Sequence, residues 1–286
     1  MDKIMPNAIG FTSRPASSGL NTLLRKVFQV LIERRIPFVV DAVLKPFLMM
    51  PYPIKFVDFK KLPDEVDVIV VLGGDGTLIH AIHNIPKIEK RFILGVNTGR
   101  IGFLSEITPH DLVPCIMRIL NGEEVFIERV KLMRVNMSGR YYDAINDVVI
   151  MNKEHGRMIS VGILVDDEPV YTTYADGVIV STSTGSTAYS ASAGGPIIDP
   201  RMSVFIVNFI CPLMWSIRPL IVPGDVKLKV RVRARKGIVL VDGMEVSSFN
   251  NKIEVMPEYS EKSVKFIRFT KGSFYKRLYR RLNMWI

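Results

Sequence analysis

Cysteine is nearly absent from this chain: Cys115 and Cys211 are the only two in 286 residues, they stand far apart, and neither belongs to a Cys-x-x-Cys pair. That speaks against a disulfide framework and against a structural zinc site, and it fits a reducing cytoplasm. Long apolar runs are missing as well. Residues 66–72 and 204–215 come nearest, but they are too short or too interrupted to span a bilayer, and no charged N-terminal segment precedes a long apolar stretch. The expectation is a soluble, unexported protein. There is no internal repeat, low-complexity tract or flexible linker. Standard signatures are absent too: no GxxxxGK[ST] loop, no spaced GxGxxG and no GxSxG elbow occur. None of the four histidines follows Ser186, as the hydrolase order would require.

What the chain has is core-forming material and positive charge. A hydrophobic content of 48% over 286 residues suffices for one or two domains. The net charge of +10 attracts either a nucleic acid backbone or small polyphosphate ligands, and charge alone does not choose between them.

The apolar pattern gives the organisation. Residues 4–10 read as a strand, residues 20–35 as a helix with Leu20, Leu23, Leu24, Val27 and Leu31 at helical spacing, and residues 37–43 as a second strand. The run VDVIVVL over residues 66–72 ends in Gly73 and Gly74, a helix starts near residues 77–83, and residues 92–96 repeat the buried-strand pattern. This is the texture of a parallel α/β sheet. Past about Thr108, one helix over residues 112–120 leads into short segments rich in valine, isoleucine and tyrosine: 144–151, 159–165, 177–181, 226–232 and 238–241. Helical character returns over residues 273–282. The expected division is an α/β domain from residues 1–108 with 272–286, and a mainly β domain from residues 109–271.

The sharpest local signal is Gly73, Gly74, Asp75, Gly76 and Thr77, set between a buried strand and a helix. Glycines let backbone amides approach phosphate oxygens, and a helix N-terminus favours anions at the carboxyl end of a sheet. The bland alternative is a tight turn with purely backbone reasons. Asp75 argues against it, because a carboxylate among phosphate-binding amides repels the ligand unless it holds a metal ion, accepts a hydroxyl proton or bonds a sugar.

A second cluster, DGVIVSTSTGSTAYSASAGGP over residues 176–196, opens a strand into a hydroxyl-rich turn. Ser181, Thr182, Ser183, Thr184, Ser186 and Thr187 offer short donors and acceptors, while Ala188, Ala191 and Gly194 leave room for a flat ring. Each hydroxyl alone reads as a helix cap; the density of the run suggests a nucleoside pocket. Asn146 and Asp147 interrupt the apolar stretch AINDVVI, either as hydrogen-bonded structure or as a ligand contact in which Asp147 accepts ribose hydroxyls. His80 and His83 are spaced for a shared metal but lack a third ligand, so a structural or phosphate-side role is favoured, with magnesium carried by phosphates.

In content and order, GGDGT at Gly73 to Thr77, NTGRIGF at Asn97 to Phe103, Asn146 with Asp147, the run 176–196, and Arg218 with Pro219 resemble the NAD kinase family. FYKRL at residues 274–278 also looks like it. Lipid kinases acting on diacylglycerol or sphingosine share only the first motif. The resemblance implies an N-terminal Rossmann-like parallel α/β domain, a C-terminal β-sandwich-like domain, an active site in the cleft between them, and assembly into homodimers or homotetramers. It implies that Asp75 is the base acting on the ribose hydroxyl, with Gly76 beside it against substrate, and that Gly73, Gly74, Gly76 and Thr77 face the phosphate donor. For NAD it implies contacts from Asn146 and Asp147 on the adenosine part, Asp176 on the nicotinamide side, and Thr187, Ala188, Tyr189, Ser190, Ala191 and Ser192 along the dinucleotide, with Arg157 and Cys211 at further positions. Three departures bear on local contacts: Asp147 where glutamate is commoner, Tyr174 where a basic residue is frequent, and Met244 where a polar residue often follows Gly243.

The expected reaction is Mg2+-dependent transfer of a phosphoryl group from ATP or polyphosphate to the 2′-hydroxyl of the adenosine ribose of NAD, giving NADP, in the cytoplasm and with no membrane or nucleic acid partner. The alternatives are a lipid kinase, which would show an exposed apolar patch, and a nucleic-acid-binding protein resting on the +10 charge and the basic helix at the C-terminus.

Overall fold

Every residue of the run Val68–Leu72 is buried, as befits a strand covered on both faces. In the computed structural model of the chain, which describes residues 2–14, 19–99, 102–154, 156–271 and 274–282, that run lies inside one of two compact units, Met1–Arg129 with Val264–Ile286. The other unit is Val130–Ser263.

The first unit opens with β1 (Asp2–Lys3), β2 (Ile9–Ser13), α1 (Gly19–Glu33), β3 (Phe38–Asp41) and β4 (Phe56–Val57). There follow α2 (Leu62–Glu65), β5 (Val68–Leu72), α3 (Asp75–Asn84), β6 (Phe92–Val96) and α4 (Leu112–Leu120). Through β7 (Glu124–Met137) the chain enters the second unit: β8 (Arg140–Ala144), β9 (Asp147–Asn152), β10 (Ile159–Val165), β11 (Glu168–Ala175), β12 (Gly177–Thr182), α5 (Tyr189–Ser192), β13 (Val204–Ile210), β14 (Leu220–Pro223) and β15 (Leu228–Val241). The long β16 (Met244–Arg268) leads back, and α6 (Phe274–Leu282) belongs to the first unit.

In the first unit β4, β3, β2, β5, β6 and the end of β16 lie side by side and all parallel, with Ile9 opposite Val68, Val68 opposite Phe92 and Lys265 opposite Phe92. From β2 the chain moves outward to β3 and β4, then returns to β5 on the other side of β2. The crevice at the carboxyl ends of strands flanking such a reversal is where open α/β sheets gather ligands. Here it lies between Ser13 and Leu72, which are register partners. Helix α1 buries Leu20, Leu24, Val27, Phe28 and Leu31, one apolar stripe at helical period, in the first core, and the Phe28 ring stacks on Phe38 with centroids 4.5 Å apart.

The second unit is antiparallel. β14, β13, β12, β9 and β15 follow one another, with β16 on one edge of β15. Along its other edge, residues 228–233 of β15 pair with β10, which pairs with β11, while residues 237–241 pair with β9. At this fork the register with β16 slips between Ala234 and Lys236, the kind of bulge that bends a strand. Both branches feed one core, including Val161, Ile163, Val178, Val180, Phe205 and Val239, and this is the β-sandwich-like half. Three hairpins turn on left-handed residue pairs, Ser138 with Gly139, Asp166 with Asp167, and Asp242 with Gly243, whose twist suits two-residue connections.

Most expected elements stand where the apolar pattern puts them. The strand expected over residues 4–10 is an exception: it is β2, Ile9–Ser13, because parallel pairing with β5 begins at Ile9, and Ile4 is buried outside any strand. Residues 226–232 and 238–241, read as two strands, form the single β15. Ile145 and Asn146 fall in a bend between β8 and β9 and not inside a strand. The units divide at 129/130 and 263/264, whereas the texture of the sequence changes near Thr108 and the expected division lies at 108/109 and 271/272. Leu112, Ile116, Val125 and Ile267 join the first core, which draws α4, the start of β7 and the end of β16 into that unit. Residues 272–273 and 283–286, part of the expected C-terminal segment, lie outside the described residues, as do Arg100 and Ile101 of the NTGRIGF motif. Among the described residues no helix is long and apolar enough to cross a membrane.

Candidate functional site

In the first unit the glycine loop lies at the sheet reversal, at the carboxyl end of β5. Gly73 has no room for a side chain, since a Cβ there would fall 2.3 Å from the Thr77 hydroxyl oxygen and 2.5 Å from Thr77 Cβ. The Thr77 hydroxyl in turn donates to the Arg14 carbonyl, tying the loop to the end of β2. Gly74 caps α3, so Asp75 is its first residue and Gly76 its exposed second. The first amides of a helix have no partner within it, and they open here at the crevice.

Asp75 turns its carboxylate onto backbone amides from a distant loop. Oδ2 accepts from the Phe103 N–H at 2.7 Å, and Oδ1 accepts from Leu104 and Ser105 at 3.1 and 3.3 Å. Gly102 makes this approach possible, because a Cβ there would fall 2.1 Å from Asp75 Oδ1. The end of the NTGRIGF motif, Gly102 and Phe103, together with the next two residues, Leu104 and Ser105, therefore supplies the seat of the Asp75 carboxylate. A carboxylate offers about four acceptor positions; among the described residues three are taken, and the one left is on Oδ2.

Arg14 is a neighbour that sequence reasoning missed. It is exposed just beyond β2, 3.4 Å from His80 Nε2 and over the Phe59 ring at 5.4 Å. Burial first, then the charges of Arg14 and His83, hold the His80 imidazole below its ordinary value, against a smaller opposing pull from Asp41. Among the described residues no group of three or more His, Cys, Asp or Glu side chains could hold a metal ion.

In the second unit the bend before β9 is built by a residue far along the chain. Asp242, in the left-handed turn between β15 and β16, accepts the amides of Ile145, Asn146 and Asp147 at 2.8, 2.7 and 3.0 Å. The Asn146 carbonyl receives the Thr182 amide at 2.8 Å and the Ser181 hydroxyl at 3.2 Å. Gly185 sits so close that a Cβ would lie 2.1 Å from the same carbonyl oxygen. Asp147 is 4% exposed. Its carboxyl is pushed up to about 7, chiefly by burial and then by Asp242, with the Tyr189 backbone amide opposing the shift. Asp147 and the first residue of α5 are thus brought together.

The hydroxyl run does more structural work than its composition suggests. Thr182 donates to the Ile145 carbonyl at 2.7 Å, Ser183 to the Met202 carbonyl, Ser186 to the Ile198 carbonyl at 3.2 Å, and Thr187 to the Thr184 carbonyl at 3.3 Å. Ser190 differs: its hydroxyl is buried without a partner among the described residues. Asn208 on β13, another residue the sequence did not reveal, holds the α5 turn by donating to the carbonyls of Ser190 and Ala193, both at 3.1 Å. Thr187, Ala188 and Ala191 are half-buried, and Tyr189 and Ser192 are exposed.

Asp176, Cys211 and Arg157 are gathered elsewhere. Gly177 pairs with both Ile210 and Met151, so Asp176, the residue after Ile210 and the turn after β9 share one end of the sheet, whereas Ser181 pairs with Asp147 at the other. Four residue steps, from Gly177 to Ser181, separate the ends, about 13 Å at roughly 3.3 Å per residue. Asp176 and Cys211 are exposed, Cys211 with a left-handed backbone, and Arg157 is ion-paired with Glu154 at 3.5 Å. Tyr174 is exposed, and its carbonyl accepts the Leu213 amide. Arg218 closes its own turn on the Trp215 and Ile217 carbonyls.

Comparison with known proteins agrees with both halves. Residues 9–124 match the ATP-NAD kinase N-terminal domain and residues 145–269 the ATP-NAD kinase C-terminal domain. The NAD kinase of Methanosphaera stadtmanae is 35% identical over 268 residues, covering 93% of this chain and 96% of that protein. The NAD kinase of Heliobacterium modesticaldum is 40% identical over 225 residues, covering 75% and 77%. Among solved structures, an NAD kinase from Archaeoglobus fulgidus in complex with ATP is similar at 25% identity, covering 96% of this chain and 98% of that one with a TM-score of 0.75. Yeast NADH kinase complexed with NADH shares the fold at 20% identity, with a TM-score of 0.87 and coverage of 99% and 89%. Neither the lipid kinase nor the nucleic-acid reading is favoured by these likenesses. By sequence and by fold, this chain belongs to the NAD kinase family.

Proposed function

We propose that this chain transfers a phosphoryl group from ATP to the 2′-hydroxyl of the adenosine ribose of NAD, forming NADP. The observation that carries the reading is the seating of Asp75: three amides fix the carboxylate at the start of α3, and one acceptor position on Oδ2 is left for a hydroxyl. Asp75 takes the hydroxyl proton as the ribose oxygen bonds to the terminal phosphorus. The bond from that phosphorus to the donor's bridging oxygen breaks, and ADP leaves. Such a transfer needs mainly positioning and neutralised charge, and the α3 amides, Gly73, Gly74, Gly76, Thr77 and Arg14 are the groups assigned to the donor.

A divalent cation, magnesium by preference, would neutralise charge on the donor's phosphates. The described residues offer no cluster of His, Cys, Asp and Glu to cage it. Asn146 and Asp147 are assigned to the adenosine part, and Thr187 to Ser192 to the dinucleotide. Asp176, Cys211 and Arg157 stand at the far end of the same strands, which supports a homo-oligomer in which a second copy presents them. Polyphosphate as donor and a cytoplasmic location belong to the same reading.

The test is NADP formation from NAD with Mg2+ and ATP, beside polyphosphate and no-donor controls. Asp75→Asn should lower turnover by about a hundredfold to ten-thousandfold, the usual contribution of a positioned base. An Asp75→Asn enzyme with nearly full turnover would remove the base assignment. No NADP from folded protein with either donor would remove the reaction.

A further inference from the structure

The loop that seats Asp75 is gripped from its other side as well. Arg268, 3% exposed, donates Nη1 to the Leu104 carbonyl at 2.6 Å and Nε to Glu128 at 2.5 Å. Two residues along, Glu106 accepts the Phe269 and Thr270 amides, each at 3.3 Å, and the Thr270 hydroxyl at 2.6 Å. Phe103 meets the Phe274 ring at 6.2 Å, and the Arg281 guanidinium stands over it at 5.5 Å. Leu104 therefore joins two systems: its N–H is on Asp75 and its C=O on Arg268. A peptide plane is rigid, so fixing the carbonyl of one residue and the amides around it limits where the bonded carboxylate can stand.

We infer that Arg268 is a positioning residue for phosphoryl transfer: by holding the Leu104 carbonyl it sets the amides of residues 103–105, and through them the Asp75 carboxylate. The inference rests on the reading of Asp75 as base. A guanidinium suits the task because it reaches Leu104 and Glu128 at once from a planar fork, whereas a lysine presents a point charge. Thr270 and α6 steady the same loop from its flanks.

The experiment is a double-mutant cycle. Arg268→Gln, Arg268→Lys and Thr270→Val are made alone and on Asp75→Asn, and kcat, KM for NAD and the melting temperature are measured for each. Arg268→Gln should lower kcat by about a hundredfold, the scale of an ångström misplacement, while KM for NAD stays within about twofold because ground-state binding is untouched. Arg268→Lys should restore part of the loss. On Asp75→Asn the same Arg268 change should cost little, since the group it positions is gone. Where Arg268→Gln does not fold, Arg268→Lys carries the cycle with a smaller loss of kcat. An equal loss in both backgrounds, or one confined to KM, would make Arg268 merely structural and overturn the inference while leaving the base reading intact. Full turnover in Asp75→Asn itself would overturn the base reading and the inference with it.

Discussion

Asp147 stands behind Asp242 with 4% of its surface exposed, and burial followed by that neighbouring carboxylate pushes its carboxyl up to about 7 from an ordinary 3.8. Between those two values the folded chain keeps a proton that the unfolded chain has shed. The stabilising contribution is therefore complete below pH 3.8, declines as pH rises through the interval, and is gone above about 7. With one pKa unit equivalent to about 1.4 kcal/mol, the decline is on the order of a few kcal/mol. Asp147→Asn keeps the shape and removes the charge, so melting temperatures taken at pH 5 and pH 8 should fall less in the variant than in the parent. Parallel falls would show that Asp147 ionises as it does in the unfolded chain. Ligand binding runs the other way: if the ionised carboxylate accepts the ribose hydroxyls, KM for NAD should decrease as pH rises through 7 in the parent and stay flat in Asp147→Asn.

The bend before β9 and the turn before α5 are short elements that hold each other by backbone contact. Asn146 is the meeting point, with its amide on Asp242 and its carbonyl under Thr182, Ser181 and Gly185. A Cβ on Gly185 would fall 2.1, 2.5 and 2.6 Å from the Asn146 carbonyl oxygen, carbonyl carbon and Cα, and backbone cannot step aside as a long side chain can. Gly185→Ala should cost roughly 1–3 kcal/mol, as overpacking does, read from the denaturant midpoint, and should raise KM for NAD; unchanged stability would mean that the two turns do not meet so closely. Contacts like this explain which parts of the molecule were legible beforehand. Phe92–Val96 and Ile159–Val165 were readable because their burial is written in their own apolar residues. β16 was not, because its 25 residues mix NNK, Pro257 and acidic positions and serve two cores in turn. The hydroxyl run was visible as composition, yet most of its bonds go to carbonyls at positions such as 145, 198 and 202, which no local pattern reveals. Asp75 could be singled out by chemistry, but its seat on residues 103–105 depends on Gly102, 27 positions away, and Arg268 entered the network only through the fold.

At the scale of the molecule the positive charge is unevenly divided. The first unit holds 23 Lys and Arg against 14 Asp and Glu, and the second holds 15 against 14, so nearly all of the +10 belongs to the unit with the glycine loop. Residues 264–286 alone supply seven cations and no acid. The sequence-level ambiguity between nucleic acid and polyphosphate ligands is narrowed by this placement, since the charge accompanies the loop assigned to the phosphate donor and is missing from the unit assigned to most of the NAD contacts. Exposed charges act over roughly 8–10 Å at physiological salt and less as salt rises, so a unit-wide field should draw the more highly charged ligand most strongly. Raising KCl from about 0.05 to 0.3 M should therefore raise KM for ATP several-fold and KM for polyphosphate further, while KM for NAD, the less charged substrate, changes little. Equal sensitivity of the donor and NAD would place the field's effect on the fold or the assembly as a whole. A donor KM indifferent to salt would mean that the cations of the first unit are screened or paired, leaving the loop amides and Arg14 to hold the phosphates by short-range bonds alone.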